Sequence, residues 1–161
     1  MPSVSAPNAV DRAVRLYGDL LFDLCETVLW SPSNAQLAFR AIMKEIRRTR
    51  SANQYTDHER AWILRIACTQ LRAFSMRLGR KLTPSEQIML DASMTLESRM
   101  KQFDSYFHRL SADDQLLLLL RDKYGIPYSE VAAAMGLPEG SLKMKRQQAL
   151  RTLDEWIWGQ A

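Results

Sequence analysis

The chain has 161 residues, of which 47% are hydrophobic and 25% are charged, and this balance excludes a mainly disordered protein. Its longest purely apolar run, residues 116–120, is far shorter than the roughly 20 residues that a membrane-spanning helix needs. The formal net charge is +4, but residues 40–81 alone carry a net charge of +8, whereas residues 109–161 are neutral. Such a local excess indicates either a surface for a polyanion, with nucleic acid the first candidate, or a solvated helical face.

The sequence contains none of the patterns that usually mark an exported protein or an enzyme. Residues 1–8 lack the basic and apolar regions of a secretory signal, which favours a cytoplasmic location without membrane insertion. Cys25 and Cys68 both fall on apolar helical stripes, so we expect them to pack in the core. No Cys/His spacing matches a zinc site, and there is neither a glycine-rich phosphate loop nor a nucleophile elbow. We therefore expect no metal, no cofactor and no catalytic residue.

The first part of the chain, residues 9–79, is predicted to be a unit of three amphipathic helices. Its apolar residues recur at intervals of three and four positions, which is the period of an α-helix. The apolar stripes cover residues 10–29, 35–46 and 62–78, and they are separated by a turn at residues 31–34 and a polar loop at residues 49–58. No alternating pattern typical of a β-strand extends over more than a few residues. The predicted fold class is therefore all-α.

A second helical unit is predicted to follow a short connector. Gly79 comes directly after the last periodic residue of the first unit, which is a typical helix end. We place the connector at residues 80–93 and the second small domain at residues 94–161. Within this domain, Ser111 and Asp114 have the spacing of an N-terminal helix cap. The helix that they open would contain the leucines of residues 116–120.

The most specific pattern has the spacing of a helix-turn-helix and begins at residue 128. Ser129 is predicted to cap a short helix, Gly136 to supply the positive φ of the turn, and Leu137 to pack into the core. Pro138 suits the start of the next helix, because the first helical residue needs no N–H donor. The buried side of that second helix would consist of Leu142, Ala149 and Leu153.

The other side of the second helix carries polar and basic side chains. They are Ser141, Lys143, Met144, Lys145, Arg146, Gln147 and Gln148. Lys, Arg and Gln on a helix in the major groove read base edges and hold phosphates. Because the turn, the cap and the basic helix agree, DNA binding is favoured over an ordinary pair of packed helices.

These residues resemble a known family. Residues 110–143, LSADDQLLLLLRDKYGIPYSEVAAAMGLPEGSLK, resemble region 4 of bacterial RNA polymerase sigma factors of the extracytoplasmic-function group. Residues 16–21, LYGDLL, resemble the start of region 2 of the same family, and residues 60–67, RAWILRIA, resemble its regions 2.3 and 2.4. The resemblance implies two small helical domains, a region 2-like three-helix unit and a region 4-like helix-turn-helix domain, with no region 3 between them.

The resemblance also implies site residues for promoter DNA. In the family, the second helix of region 4 reads the −35 element, and the matching residues here are Ser141, Lys143, Lys145, Arg146 and Gln147. The loop and third helix of region 2 engage the −10 element, and here they offer Asn53, Tyr55, His58, Arg60, Arg65 and Arg72. Arg65 and Arg72 are two turns apart, near enough to one helix face to track a DNA backbone. Trp62 lies on the apolar stripe and is predicted to be a core residue.

One departure from the family concerns polymerase binding. The second helix of region 2 normally carries acidic residues that dock on the β′ clamp helices of core RNA polymerase. The matching stretch here, residues 34–40, has no acid and ends in Arg40. An apolar contact with the polymerase could still involve Leu37, Phe39 and Met43, some of which we expect to be core residues. The other partners implied by the family are the β flap of the polymerase and an anti-sigma factor.

Three hypotheses follow from the sequence. The first is a sigma factor that directs core RNA polymerase to promoters through the −10 and −35 elements and has no catalytic residue of its own. The second is a sigma-like interaction module that binds an anti-sigma or another regulator without supporting initiation, and it is motivated by the missing acids. The third, an enzyme, has the least support.

Overall fold

The computed structural model describes residues 9–49, 59–78 and 103–159, and within these ranges the only regular structure is helical. The helices are α1 (Ala9–Leu29), α2 (Pro32–Thr49), α3 (Glu59–Leu78), α4 (Phe103–Arg109), α5 (Ala112–Leu118), α6 (Tyr128–Met135) and α7 (Glu139–Trp158). A π-helical turn, Leu119–Lys123, continues α5. The predicted all-α fold is confirmed. The connector at residues 80–93 lies outside the described residues, so the domain boundaries stay a prediction.

The helix α1 passes into α2 through a shorter turn than the sequence predicted. Trp30 has a φ of 52°, and the next residue, Ser31, accepts a hydrogen bond on its Oγ from the N–H of Asn34 at 3.4 Å. Pro32 is already the first residue of α2. The prediction of a turn over residues 31–34 is therefore wrong beyond Ser31, because Pro32 to Asn34 form the capped first turn of the helix.

The three N-terminal helices bury most of the predicted apolar stripes, but Val14 in α1 and Leu78 at the end of α3 are exposed. Helix α2 buries Ala35, Ala38, Ile42, Met43 and Ile46, and α3 buries Ile63, Leu64, Ile66, Ala67, Cys68 and Leu71. Cys25 and Cys68 are both free and fully buried, as predicted. Their burial raises the pKa of each thiol to about 12. Neither thiol therefore has the reactivity of an exposed, ionised cysteine.

The C-terminal helices are organised around the leucine run. The Oγ of Ser111 accepts a hydrogen bond from the N–H of Asp114 at 3.1 Å, which confirms the predicted cap at the start of α5. The five leucines that follow, residues 116–120, are all buried. The amide of Gln115 is also buried, and it donates to the carbonyl oxygen of Leu110 at 2.9 Å. This bond ties the end of α4 to α5.

The two halves of the chain pack against each other. Helix α3 lies against α6 and α5, and α1 also contacts α5. The buried apolar residues of both halves form one hydrophobic cluster, from Ala13 in α1 to Leu153 in α7. The structure therefore places Arg60 and Arg72, two of the DNA-binding residues predicted for the first unit, beside the second unit. Of the described helices, none is both long and apolar enough to cross a membrane.

Candidate nucleic-acid interface

The helix-turn-helix is formed by α6 and α7. Gly136 ends α6 with a φ of 67°, in the left-handed region, and the N–H of Leu137 bonds to the carbonyl oxygen of Ala132 at 3.1 Å. Leu137 is half-buried against the core. Both predictions for the turn are thus confirmed. Leu142, Ala149 and Leu153 of α7 are buried, also as predicted.

The predicted cap at Ser129 is wrong. Helix α6 begins at Tyr128, its N-cap is Pro127, and no side chain caps it. The carbonyl oxygen of Pro127 accepts hydrogen bonds from the N–H groups of Glu130 and Val131, each at 3.0 Å. Proline has a φ compatible with the residue before a helix and has no N–H to satisfy, so the helix starts one residue before the serine.

Replacing Gly136 with alanine should lower the free energy of unfolding by about 1–2 kcal/mol, because an L-residue in the left-handed region is strained. A Cβ added at Gly136 meets no atom within 4 Å, so the cost would come from the backbone alone. Gly140, in the first turn of α7, offers a matched control, since its added Cβ is equally free and its φ is not positive. Gly140→Ala should raise stability by about 0.5–1 kcal/mol. Urea unfolding of both variants measures the difference, and equal effects would contradict this account.

The outward face of α7 is only partly available to a ligand. Lys143 and Gln147 are exposed, and Lys145 is half-buried. Arg146 is held by Asp122 of the π-helical turn, with an Nη2–Oδ1 distance of 2.7 Å. The hydroxyl of Ser141 donates to the carbonyl oxygen of Pro138 at 2.8 Å. Of the five residues predicted for the −35 element, Lys143 and Gln147 are therefore the most accessible.

Tyr128 was not among the predicted site residues, but two cations gather on its ring. Arg121 lies 4.8 Å from the ring centroid, and Lys143 lies 5.6 Å from it. Cation–π contacts of this kind restrain long basic side chains at a surface. Tyr128 thus positions Lys143 at the start of α7. One sequence signal marks Tyr128, namely its position within the segment that resembles region 4. The cation–π contacts themselves could not be predicted, because they join residues of three different helical elements.

Of the six residues predicted for the −10 element, the structure describes three, and two of these are held in ion pairs. Asn53, Tyr55 and His58 lie outside the described residues. Arg60 bonds to Glu130 of α6, with an Nε–Oε2 distance of 2.7 Å. Arg72 bonds to Asp113 of α5, with an Nε–Oδ1 distance of 2.5 Å. Arg65 is exposed and lies at an open groove of about 490 Å³ between α2, α3 and α6, which is also lined by Glu45, Ala61, Trp62, Ile66, Thr69, Gln70 and Ala133.

The carboxylates that bind these arginines were not predicted as site residues. Glu130 and Asp113 belong to the C-terminal half and are 70 and 41 positions from their partners in the sequence. No local pattern marks such a pairing. In the described arrangement, Arg60 and Arg72 link the two halves, Arg60 through Nε and Nη2 and Arg72 through Nε. Trp62 is half-buried against the core, which agrees with its predicted role.

A third polar contact joins α1 to the C-terminal half. The carboxylate of Asp23 accepts hydrogen bonds from Lys123, with an Nζ–Oδ2 distance of 2.7 Å, and from the hydroxyl of Tyr124. Burial alone would raise the pKa of Asp23, but these two hydrogen bonds outweigh it and hold the pKa below its usual range. Beside this contact, the rings of Trp30 and His108 lie with their centroids 4.5 Å apart.

The contact of Asp23 should make stability depend on pH. Because the pKa of Asp23 is lowered in the folded state, its stabilising effect is present above the unfolded value of about 3.9 and is lost as the pH falls through the folded value. An Asp23→Asn variant should therefore lose less of its free energy of unfolding than the parent chain between about pH 5 and pH 3. Urea unfolding over this range measures the effect, with the exposed Asp19→Asn as control. Identical pH profiles for parent and Asp23→Asn would refute it.

The three residues predicted to contact core polymerase have different surroundings. Leu37 is exposed, with 52% of its surface accessible, whereas Met43 is only 8% accessible. Phe39 is half-buried and packs edge-on against Phe22, with the ring centroids 5.5 Å apart. Phe39 and Met43 thus contribute to packing, as expected for some of the three, and Leu37 alone is presented outward.

The C-terminal half is similar to a known family. Residues 100–153, about a third of the chain, match the family model described as sigma-70, region 4. The matched segment includes α5, α6 and most of α7, and therefore the whole turn of the helix-turn-helix. No curated protein matches the chain in sequence.

Proposed function

We propose that the chain is a transcription initiation factor of the sigma-70 type, which binds promoter DNA through α6 and α7 and directs core RNA polymerase to it. The observation that carries this proposal is the combination of the region 4 match with a complete helix-turn-helix, whose second helix exposes Lys143 and Gln147. Helices of this kind place their first turns against base edges in the major groove. The proposal assigns the chemistry of RNA synthesis to the polymerase and no catalytic residue to this chain.

The finer parts of the proposal rest on the resemblance of residues 110–143 to region 4, and of residues 16–21 and 60–67 to region 2, of the extracytoplasmic-function group. They are membership of the extracytoplasmic-function group, contact with a −10 element through Arg60, Arg65 and Arg72, and control by an anti-sigma partner. Arg65 is exposed at the groove beside Trp62. Arg60 and Arg72 would have to exchange Glu130 and Asp113 for phosphates. Binding of the −10 element by these two residues therefore requires both ion pairs to break.

The alternative is a sigma-like module that binds a regulator without supporting initiation. The observation that favours it is the outward face of α2, which presents Leu37 and Arg40 where the family has acidic residues. A polymerase surface that is complementary to acids would be repelled by this face. Docking through Leu37 alone would leave a small apolar contact.

The decisive experiment has two steps. Duplexes bound by the full chain are first selected from a randomised library, and the selected sequence is then placed upstream of a transcript in a reaction with core polymerase. We expect a defined sequence to be selected, and a transcript to be made only when the chain is present. A defined sequence without a transcript would favour the interaction module, whereas failure to select any sequence would overturn DNA recognition by α7.

A further inference from the structure

The outward face of α2 carries a stripe of three cations, Arg40, Lys44 and Arg47, which we call the α2 stripe. All three are exposed. At 100° and 1.5 Å per residue, they lie within an arc of about 60° and span about 10 Å of the helix. The opposite face of α2 is fixed in the core by Ala38, Ile42 and Ile46, each 0% accessible. The fold thus holds the stripe rigidly toward solvent.

No carboxylate among the described residues forms an ion pair with the α2 stripe. The nearest acid in the helix, Glu45, is bonded to Arg48 through both oxygens, with an Nε–Oε2 distance of 3.0 Å. Arg47 is in the last turn, where a cation is favourable to the helix dipole. Arg40 and Lys44 are further from that end, and like charges one turn apart destabilise a helix. The stability of the fold therefore does not account for the stripe.

We infer that the α2 stripe binds the phosphate backbone of DNA independently of base sequence. Phosphates need only exposed cations, and contacts of this type position a protein on DNA without reading it. An acidic protein partner fits less well, because protein interfaces have an apolar core and the only large apolar side chain exposed on α2 is Leu37. This surface is distinct from α7, and its binding is testable without any knowledge of a promoter.

The test is the salt dependence of DNA binding by the full chain carrying Arg40→Gln, Lys44→Gln and Arg47→Gln. The probes are a labelled 20-base-pair duplex of random sequence and one of its strands, and binding is followed by fluorescence anisotropy. Each phosphate contact contributes about 0.9 to the slope of log affinity against log salt for duplex, and about 0.7 for a single strand. Loss of three contacts should make the slope shallower by about 2.7 for duplex or about 2.1 for a single strand. The two probes therefore distinguish which form of DNA the stripe binds.

A matched control carries Arg15→Gln, Arg77→Gln and Arg151→Gln, which removes three exposed cations elsewhere and gives the same net charge. We expect this control to retain the parent slope to within about one unit, since it removes no backbone contact. Circular dichroism and thermal unfolding establish that both variants are folded. Equal slopes in the two triple variants, an unchanged slope in the α2 variant, or no binding by the parent chain would each overturn the inference. The second of these outcomes, an unchanged slope, would leave an acidic protein as the candidate partner of this face.

The outcome is separable from that of the proposed function. If α7 selected no sequence, the α2 substitutions would still be expected to make the salt slope on random duplex shallower. Conversely, an unchanged slope in the α2 variant would leave recognition by Lys143 and Gln147 intact. Binding to the selected duplex and binding to random duplex are therefore both measured for the parent and each variant.

Discussion

Lys143→Glu should weaken binding to the selected duplex by about 10- to 100-fold, since a specific base contact is worth about 1–3 kcal/mol and each 1.4 kcal/mol is about tenfold. Lys143 is exposed in the first turns of α7, and its ammonium group is held 5.6 Å from the ring of Tyr128. The substitution removes a donor and adds a charge that phosphates repel. Fluorescence anisotropy with the selected duplex measures the loss.

The matched control for this prediction is Arg151→Glu. Arg151 is exposed on the same helix, eight residues further along, and the substitution changes the net charge equally. If α7 enters the groove by its first turns, Arg151→Glu should change affinity by no more than about threefold. Equal losses in the two variants would show a general charge effect and would refute the assignment of Lys143 to base contact.

The second large effect is expected where the two halves meet. Glu130→Gln together with Asp113→Asn removes the carboxylates that hold Arg60 and Arg72. Both pairs are partly exposed, so each contributes only about 0–1 kcal/mol to stability and the double variant should stay folded. The freed arginines become available to phosphates. The slope of log affinity against log salt for a single strand should steepen by about 1.4, since each added phosphate contact contributes about 0.7.

A control for the double variant neutralises two exposed acids that hold no arginine of α3. Asp19→Asn with Glu155→Gln gives the same net charge. The salt slope of this control should stay within about half a unit of the parent slope. A third variant, with Arg60→Gln and Arg72→Gln added to the double neutralisation, should return the slope to the parent value. If the slope steepens and persists without the two arginines, the −10 assignment of Arg60 and Arg72 is wrong.

Much of the fold could be predicted because it depends on local patterns. A period of three to four residues specifies which face of each helix is buried, and most of the predicted residues of α2 and α3 are buried or half-buried. Leu78, at the end of α3, is exposed. Gly136 could be identified because only glycine readily takes the φ of 67° that the turn requires. The errors at residues 31–34 and at Ser129 both concern helix starts. A proline fixes each boundary, because Pro32 begins α2 inside the predicted turn and Pro127 is the N-cap of α6 ahead of Ser129.

The sequence by itself determined the helices, their buried faces, the helix-turn-helix and the places where cations occur. Only the tertiary structure decided which cations are available. Arg60, Arg72 and Arg146 are bonded to carboxylates 70, 41 and 24 positions away, whereas Arg65, Lys143 and the α2 stripe are exposed. Helical periodicity is a property of neighbours along the chain. Ion pairing depends on which helices pack together, and that is fixed by the shared core of the two halves.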